Sequence, residues 1–206
     1  MSYTSIRNVV TALALLGVSA LVPQAPTSER ISHATQIADP IVLSVDPAQS
    51  VVHWRLGAGL HTVHGTFHLK RGTLSVDNAN GKATGEIVAD ATTGESGNKS
   101  RDQKMHNEIL ESTRYAEVIF RPDRVDGTIS PQGSSTVKIH GIFSLHGTDH
   151  ELNIPAQARL TENQWKGTAT FSLPYVEWGL KNPSNFLLRV KPVVDIDIDL
   201  SGSIRR

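Results

Sequence analysis

The sequence predicts an all-β fold, an antiparallel barrel or sandwich of about eight strands with one short helix inserted near residues 101–112. Three observations carry that prediction. Apolar residues recur with period two along eight separate runs, the pattern of half-buried strands. Turn-forming residues divide those runs at hairpin spacing. One stretch alone switches to helical spacing.

In chain order, Val52, Trp54 and Leu56 alternate with His53 and Arg55, and Val63, Gly65, Phe67 and Leu69 with His64, Thr66, His68 and Lys70. Ile87, Ala89 and Ala91 form the third run, and Val118 and Phe120 the fourth. Val137, Ile139, Gly141, Phe143 and Leu145 are followed by Leu152, Ile154, Ala156, Ala158 and Leu160, then by Trp165, Gly167, Ala169, Phe171 and Leu173. The last run sets Val194, Ile196, Ile198 and Leu200 against Asp195, Asp197 and Asp199. Turns fall at Asp77–Gly81, Asp126-Gly127, Pro131–Gly133, His146–Thr148 and Thr161–Asn163. A sandwich would cover the apolar face with a second sheet, whereas a barrel closes on itself and removes its sticky edges. Between the third and fourth runs, Ser100 and Gln103 fit a capping box. Met105, Ile109 and Leu110 then supply a helical apolar face, placing a lid, plug or outer packing element at 101–112.

Composition narrows the function. The chain has 206 residues, 38% of them hydrophobic and 19% charged, with 20 basic and 20 acidic side chains and no cysteine. Zero formal charge removes the footprint expected of a nucleic-acid binder, so no nucleic-acid partner is expected. Without cysteine there is no disulfide scaffold, thiol catalysis or lipoprotein anchor.

Residues 1–25 read as a signal peptide. Arg7 is the sole charge there, and an apolar stretch of about 14 residues follows it, short of the ~20 that a membrane span needs. Small residues place cleavage after Ala20 or Ala25. Removing residues 1–25 leaves 19 basic against 20 acidic side chains. The expected location is periplasmic or secreted, with no stable membrane anchor after cleavage. Residues 26–42 form a linker or N-terminal arm without periodicity, and the barrel domain occupies 43–206, beginning near Leu43.

Catalytic patterns are absent: there is no GxSxG elbow, His150-Glu151 lacks a zincin's second histidine, and no phosphate-cradling glycine loop occurs. The chain therefore reads as a non-enzyme without a cofactor. Nine histidines invite a metal or haem reading through His61, His64, His68 or His140. However, His64 and His68 lie about 13 Å apart along a strand, too far to share one ion, so a site would need a histidine on a neighbouring strand such as His53, His140 or His146. Asp195, Asp197 and Asp199 are spaced by about 7 Å, which suits a solvated outer face. Asn98-Lys99-Ser100 matches a glycosylation acceptor, but a loop and helix cap explain the same residues.

The apolar phase is the richer feature. Trp54, Phe67, Phe120, Phe143, Trp165 and Phe171 recur on it, interleaved with Gly65, Gly141, Gly167 and Ala169. Those small residues would leave space along the axis; a simply filled core is the plain alternative, with function then on the loops as an interaction module. A hydrolase or isomerase would need polar groups on that phase, and the runs supply almost none. An apolar channel gains about 0.8 kcal/mol per buried methylene, so roughly twenty carbons would give about 16 kcal/mol before ordering costs.

The residues together resemble the YceI-like family of exported, lipocalin-like polyisoprenoid-binding proteins, over about 43–203. The resemblance rests on Asp46-Pro47-Ala48-Gln49-Ser50-Val51-Val52-His53-Trp54, with Gln49 where a histidine is usual. Gly65-Thr66-Phe67, Arg101-Asp102, Val118-Ile119-Phe120, Gly141–Gly147, Trp178-Gly179 and the run Val194–Leu200 complete it in order. It implies an extended eight-stranded antiparallel lipocalin-like barrel whose apolar pore holds an isoprenoid or quinone-like chain, as carrier or store, with Trp54, Phe67, Phe120, Phe143 and Phe171 lining it. It also implies a pore gate at Met105, His106, Ile109 and Tyr115, where the family's aromatic pair is reduced to Tyr115. A homodimer is compatible with this reading.

Overall fold

The computed structural model describes residues 39–205. The segment assigned to the signal peptide and most of the arm lie outside the described residues. Nine strands run in order: β1 (Ile41–Val45), β2 (Val51–Ala58), β3 (His61–Val76), β4 (Ala83–Asp90), β5 (Glu117–Asp126), β6 (Gly133–Leu145), β7 (Thr148–Leu160), β8 (Gln164–Leu173) and β9 (Val194–Arg205). Every pairing is antiparallel, and the ring closes where β3 pairs with β4.

The barrel has eight staves because β1 and β2 share one. β2 lies between β3 and β9 at one end, and β1 lies between the same two strands at the other. A single 3-10 turn, Pro47–Gln49, breaks this stave. Asp46 caps it, its carboxylate accepting from the Ala48 N–H at 3.0 Å and from the Gln49 side chain at 2.7 Å. The first stave begins at Ile41, directly after Pro40 and two residues inside the segment read as arm, because Ile41 and Val42 pair with Val76 and Ser75.

Two bulges switch which residues face inward. In β3 the register shifts between Leu69 and Arg71, so Phe67 and Leu69 point to the core before it, and Leu74 and Val76 after it. In β5 the shift between Pro122 and Arg124 does the same for Phe120 and Val125. A bulge places one extra residue on a strand and reverses the parity beyond it. Lys70 and Arg71, adjacent in sequence, consequently both reach Glu117 on β5, at 2.8 and 2.9 Å. Arg71 also holds Glu86 on β4 at 3.0 Å.

The core divides in two along the axis. At the end formed by the β3–β4, β5–β6 and β7–β8 turns, Leu43, Leu74, Val76, Val125, Val137, Leu160 and Trp165 fill the interior. The opposite end holds a second cluster around Trp54, Phe120, Phe143 and Leu173.

The inserted helix starts earlier than the sequence predicts. α1 spans Lys99–Lys104 and continues as a π-helical turn over Met105–Ile109. Its N-cap is Asn98 rather than Ser100, since the Asn98 side chain accepts from the Arg101 N–H at 3.0 Å. Asparagine is at least as good an N-cap as serine, and here it stands where the chain leaves the extended conformation.

The Arg71 and Lys70 hydrogen bonds hold the Glu117 carboxyl down to about 2, from an ordinary 4.5. A carboxylate with a depressed folded-state value stabilises the fold above its unfolded value, and that contribution disappears as pH falls through the folded one. Glu117→Gln should therefore lower the thermal midpoint at neutral pH, and the gap to wild type should close between pH 4.5 and about 2. A gap constant across that window, followed by circular dichroism, would show that the ion pairs do not stabilise the barrel.

Candidate functional site

At the open end the backbone ladder lapses at two seams. The β3–β4 pairing stops at Leu69–Ala89, leaving the first half of β3 with β2 on one side only. The chain after β4 supplies partners there: Thr66 and Glu95 exchange backbone hydrogen bonds at 2.9 and 3.1 Å, and Thr93 Oγ1 accepts from the His68 N–H at 2.9 Å. The β7–β8 pairing likewise stops at Ala156–Ala169, next to Pro155, which has no N–H to donate. Trp178, in the loop between β8 and β9, covers this seam. Its ring stacks on His150 of β7 at 4.0 Å and lies 5.8 Å from Phe143.

Between the seams lies a cavity of about 520 Å³. Trp54, Phe67, Phe120, Phe143 and Phe171 all stand on its wall, together with aliphatic residues such as Val52, Leu69, Ile87 and Ile196. Phe143 meets Phe171 edge-on at 6.4 Å. Polar lining is contributed by Asn98, Ser100, Arg101, Lys104 and Asn185, on α1 and the β8–β9 loop. Tyr175 also lines the cavity, with its hydroxyl donating to the Lys191 carbonyl at 2.9 Å, and burial pushes its phenol above the ordinary value. It therefore faces the cavity as a neutral group.

The gate residues predicted from the sequence separate into two pairs. Met105 and Ile109 line the cavity, with Leu110 beside them. His106 does not, because its ring is occupied within the insertion, Nδ1 with Ser112 Oγ at 2.9 Å and Nε2 with the Gly94 carbonyl at 2.8 Å. Tyr115 packs against His146 at 4.2 Å and over Gly147, outside the cavity wall. Neighbours on a helix point about 100° apart, so His106 turns off the face that Met105 and Ile109 share; Leu110 N–H donates to the Met105 carbonyl at 2.9 Å, closing the π turn.

Small residues on the inward phase do not leave space as the sequence suggested. A Cβ at Gly65 would collide with the Trp54 ring and the Glu95 carbonyl, and one at Gly141 with the Arg121 backbone. At Gly167 a Cβ would come within 2.8 Å of Trp165, which belongs to the filled end. Gly65 and Gly167 admit indole rings, and Gly141 a close backbone approach, rather than empty volume.

The remaining candidates take up structural places. His61, His64 and His68 are exposed on β3, and His140 bonds Asp123 at 2.6 Å. No group of three or more potential metal ligands converges among the described residues. Asp195 and Asp197 accept from Ser172 at 2.6 Å and Thr170 at 2.8 Å across the outer face. Sequence reasoning missed the β8–β9 loop, which contributes Tyr175, Leu180, Leu188 and Val190 to the wall. Its signal was composition, since Tyr175, Val176, Trp178, Leu180, Phe186, Leu187, Leu188 and Val190 are too many apolar residues for a solvated connection.

A model of the YceI-like domain matches residues 43–202, nearly the whole of the described barrel. The chain belongs to the YceI-like family. Among solved structures, BcnA of Burkholderia cenocepacia is similar at 13% identity and a TM-score of 0.63, covering 77% of this chain and 99% of its own. A polyisoprenoid-binding domain from Saccharophagus degradans is similar at 15% identity and a TM-score of 0.57, with 79% and 98% covered. The YCEI protein of Campylobacter jejuni gives 10%, 0.57, 71% and 88% in the same order. No curated protein sequence matches significantly. These likenesses concern the fold. Within this YceI-like chain, Arg101 and Asp102 act as a clasp: Arg101 Nε donates to Ser96 Oγ at 2.7 Å, Nη2 to the Ser96 carbonyl at 2.8 Å, and Ser96 Oγ donates in turn to Asp102. The pair fixes α1 over the seam.

Gly65→Ala should destabilise the domain by about 1–3 kcal/mol, because neither the Glu95 backbone nor the Trp54 ring can yield freely. Urea unfolding checks this, and an unchanged midpoint would mean that the indole moves aside.

Proposed function

We propose that the protein holds a lipid with an isoprenoid or quinone-like chain in the barrel cavity, as a carrier or store in the periplasm or outside the cell. The observation that carries this reading is the polarity of the cavity: aromatic and aliphatic walls, a filled far end, and polar lining groups drawn from the two insertions over the open end. Such a site accepts a hydrocarbon chain first and leaves a polar head group near Asn98, Ser100, Lys104 and Asn185. Small-molecule sites typically span about 300–1,000 Å³ with few polar groups, and this cavity falls within that range. The similar domain from Saccharophagus degradans, a polyisoprenoid-binding one, supports the same ligand class.

Trp54, Phe67, Phe120, Phe143 and Phe171 are the chain-contacting residues in this reading, and Met105 and Ile109 the movable part of the mouth. The protein acts by binding and not by catalysis, and requires no cofactor. Export follows from the leader at 1–25, with cleavage after Ala20 or Ala25 leaving no anchor.

Native mass spectrometry of protein purified gently from a bacterial periplasm tests the reading. The expected result is an excess mass that organic extraction removes and recovers as a hydrocarbon-chain lipid. A bare polypeptide mass, persisting after incubation with lipids from the native source, would leave the cavity without a role. Phe67→Asp should abolish retention by placing an unpaired charge on the apolar wall, with folding verified by circular dichroism. Retention unchanged in that variant would remove Phe67 from the site.

A further inference from the structure

The open end carries apolar side chains that the cavity does not use. Leu60, at the tip of the β2–β3 turn, is 100% exposed, Phe186 is 99% exposed and Leu187 89%. They come from two segments that the backbone joins. Gly59 N–H donates to the Arg189 carbonyl at 2.7 Å, Lys191 N–H donates to the Gly57 carbonyl at 2.8 Å, and Ala58 bridges to Val190. The tip of the β8–β9 loop is a built turn. Asn185 Oδ1 accepts from the Leu187 and Leu188 N–H groups at 2.9 and 2.8 Å, and Asn185 N–H donates to the Leu188 carbonyl at 2.9 Å. Leu188 lines the cavity, whereas Phe186 and Leu187 are presented to solvent.

Charge accompanies the apolar tips. The β8–β9 loop contains three cations, Lys181, Arg189 and Lys191, against one acid, Glu177. Lys181 reaches Glu108 at 3.5 Å, while Arg189 and Lys191 have no carboxylate partner among the described residues. We propose that this face is a membrane-docking surface. Leu60, Phe186 and Leu187 enter the interfacial layer of an anionic bilayer, and Arg189 and Lys191 meet its head groups. A bilayer accepts projecting apolar wedges at any spacing, whereas a protein partner would need a pocket matched to each tip. Clustered cations beside the wedges suit anionic lipid and add attraction that salt weakens. The loop that presents the tips also lines the cavity, so docking turns the mouth toward the leaflet; that orientation has a purpose only on the lipid-holding reading above.

Flotation with phosphatidylcholine vesicles, with and without phosphatidylglycerol, tests the surface, using protein recovered from the periplasm. Wild type should float preferentially with the anionic vesicles and less so as salt is raised. Combining Leu60→Ser, Phe186→Ser and Leu187→Ser should lower partitioning by about tenfold or more, with the bound-lipid mass in native spectra unchanged. Arg189→Glu should reduce the preference for anionic vesicles and leave the weaker binding to neutral ones. Protein that carries lipid but never floats, or a triple variant that floats like wild type, overturns the docking surface alone. So does a dimer in sedimentation that the triple variant abolishes without any vesicle binding, since a second copy would then cover the tips. Protein that floats but carries no extractable lipid instead defeats the lipid-holding reading and retains the docking surface.

Discussion

Backbone pairing around the ring is the constraint on which the rest of this structure depends. A barrel removes its edges only where each strand finds a partner on both sides. Here the β3–β4 and β7–β8 ladders stop part-way, at Leu69–Ala89 and at Ala156–Ala169. Each lapse leaves donors and acceptors that must be paired or covered. The segment after β4 pairs with Thr66 and His68, and its helix is clasped by Arg101, Ser96 and Asp102. The loop after β8 lays Trp178 against His150. The same two segments then contribute cavity wall, so the site is a consequence of how the sheet fails to close.

The far end shows what full closure does to the interior. There the bulges in β3 and β5 bring Leu74, Val76 and Val125 inward beside Trp165 and Leu160. Without a parity reversal, the inward phase that carries Phe67 and Leu69 would turn Leu74 and Val76 outward. The bulges therefore let one strand serve a filled core and an open one. They also put Lys70 and Arg71 within reach of the same glutamate, tying β3, β4 and β5 on the outside where the two cores meet.

Much of this was legible because strands expose their facing residue by residue. The alternation in β6, β7, β8 and β9 identifies the inward set directly, and Trp54, Phe67, Phe120, Phe143 and Phe171 are found on one cavity wall. Bulges were not legible, since one extra residue in β3 or β5 leaves no compositional mark. The insertion was legible as a helix but not in its facing. His106 and Met105 were grouped by adjacency, but neighbours on a helix face about 100° apart, and only Met105 meets the cavity. The glycines misled for a related reason: a small residue signals close approach, and only the fold shows whether an indole or a void approaches. The β8–β9 loop lacks any period, and its apolar composition marks it as packed without showing what it packs against.

A half-filled barrel suits a protein that must stay folded while its site is empty. Apolar walls facing a void lose dispersion contacts on one side, and a ligand that fills the space restores them. If the whole interior were cavity, that loss would fall on the residues that hold the fold together. Here Leu160 and Trp165, nearly inaccessible at the filled end, retain their contacts in either state. On the proposed lipid-holding reading, the linkage between ligand and stability is concentrated at the open end, in half-buried Phe67, Met105 and Ile109 and in exposed Leu188, which belong to or face the two insertions. On that reading, a chain entering between those segments leaves the ladder at the closed end undisturbed, because the sheet has already stopped pairing where they lie.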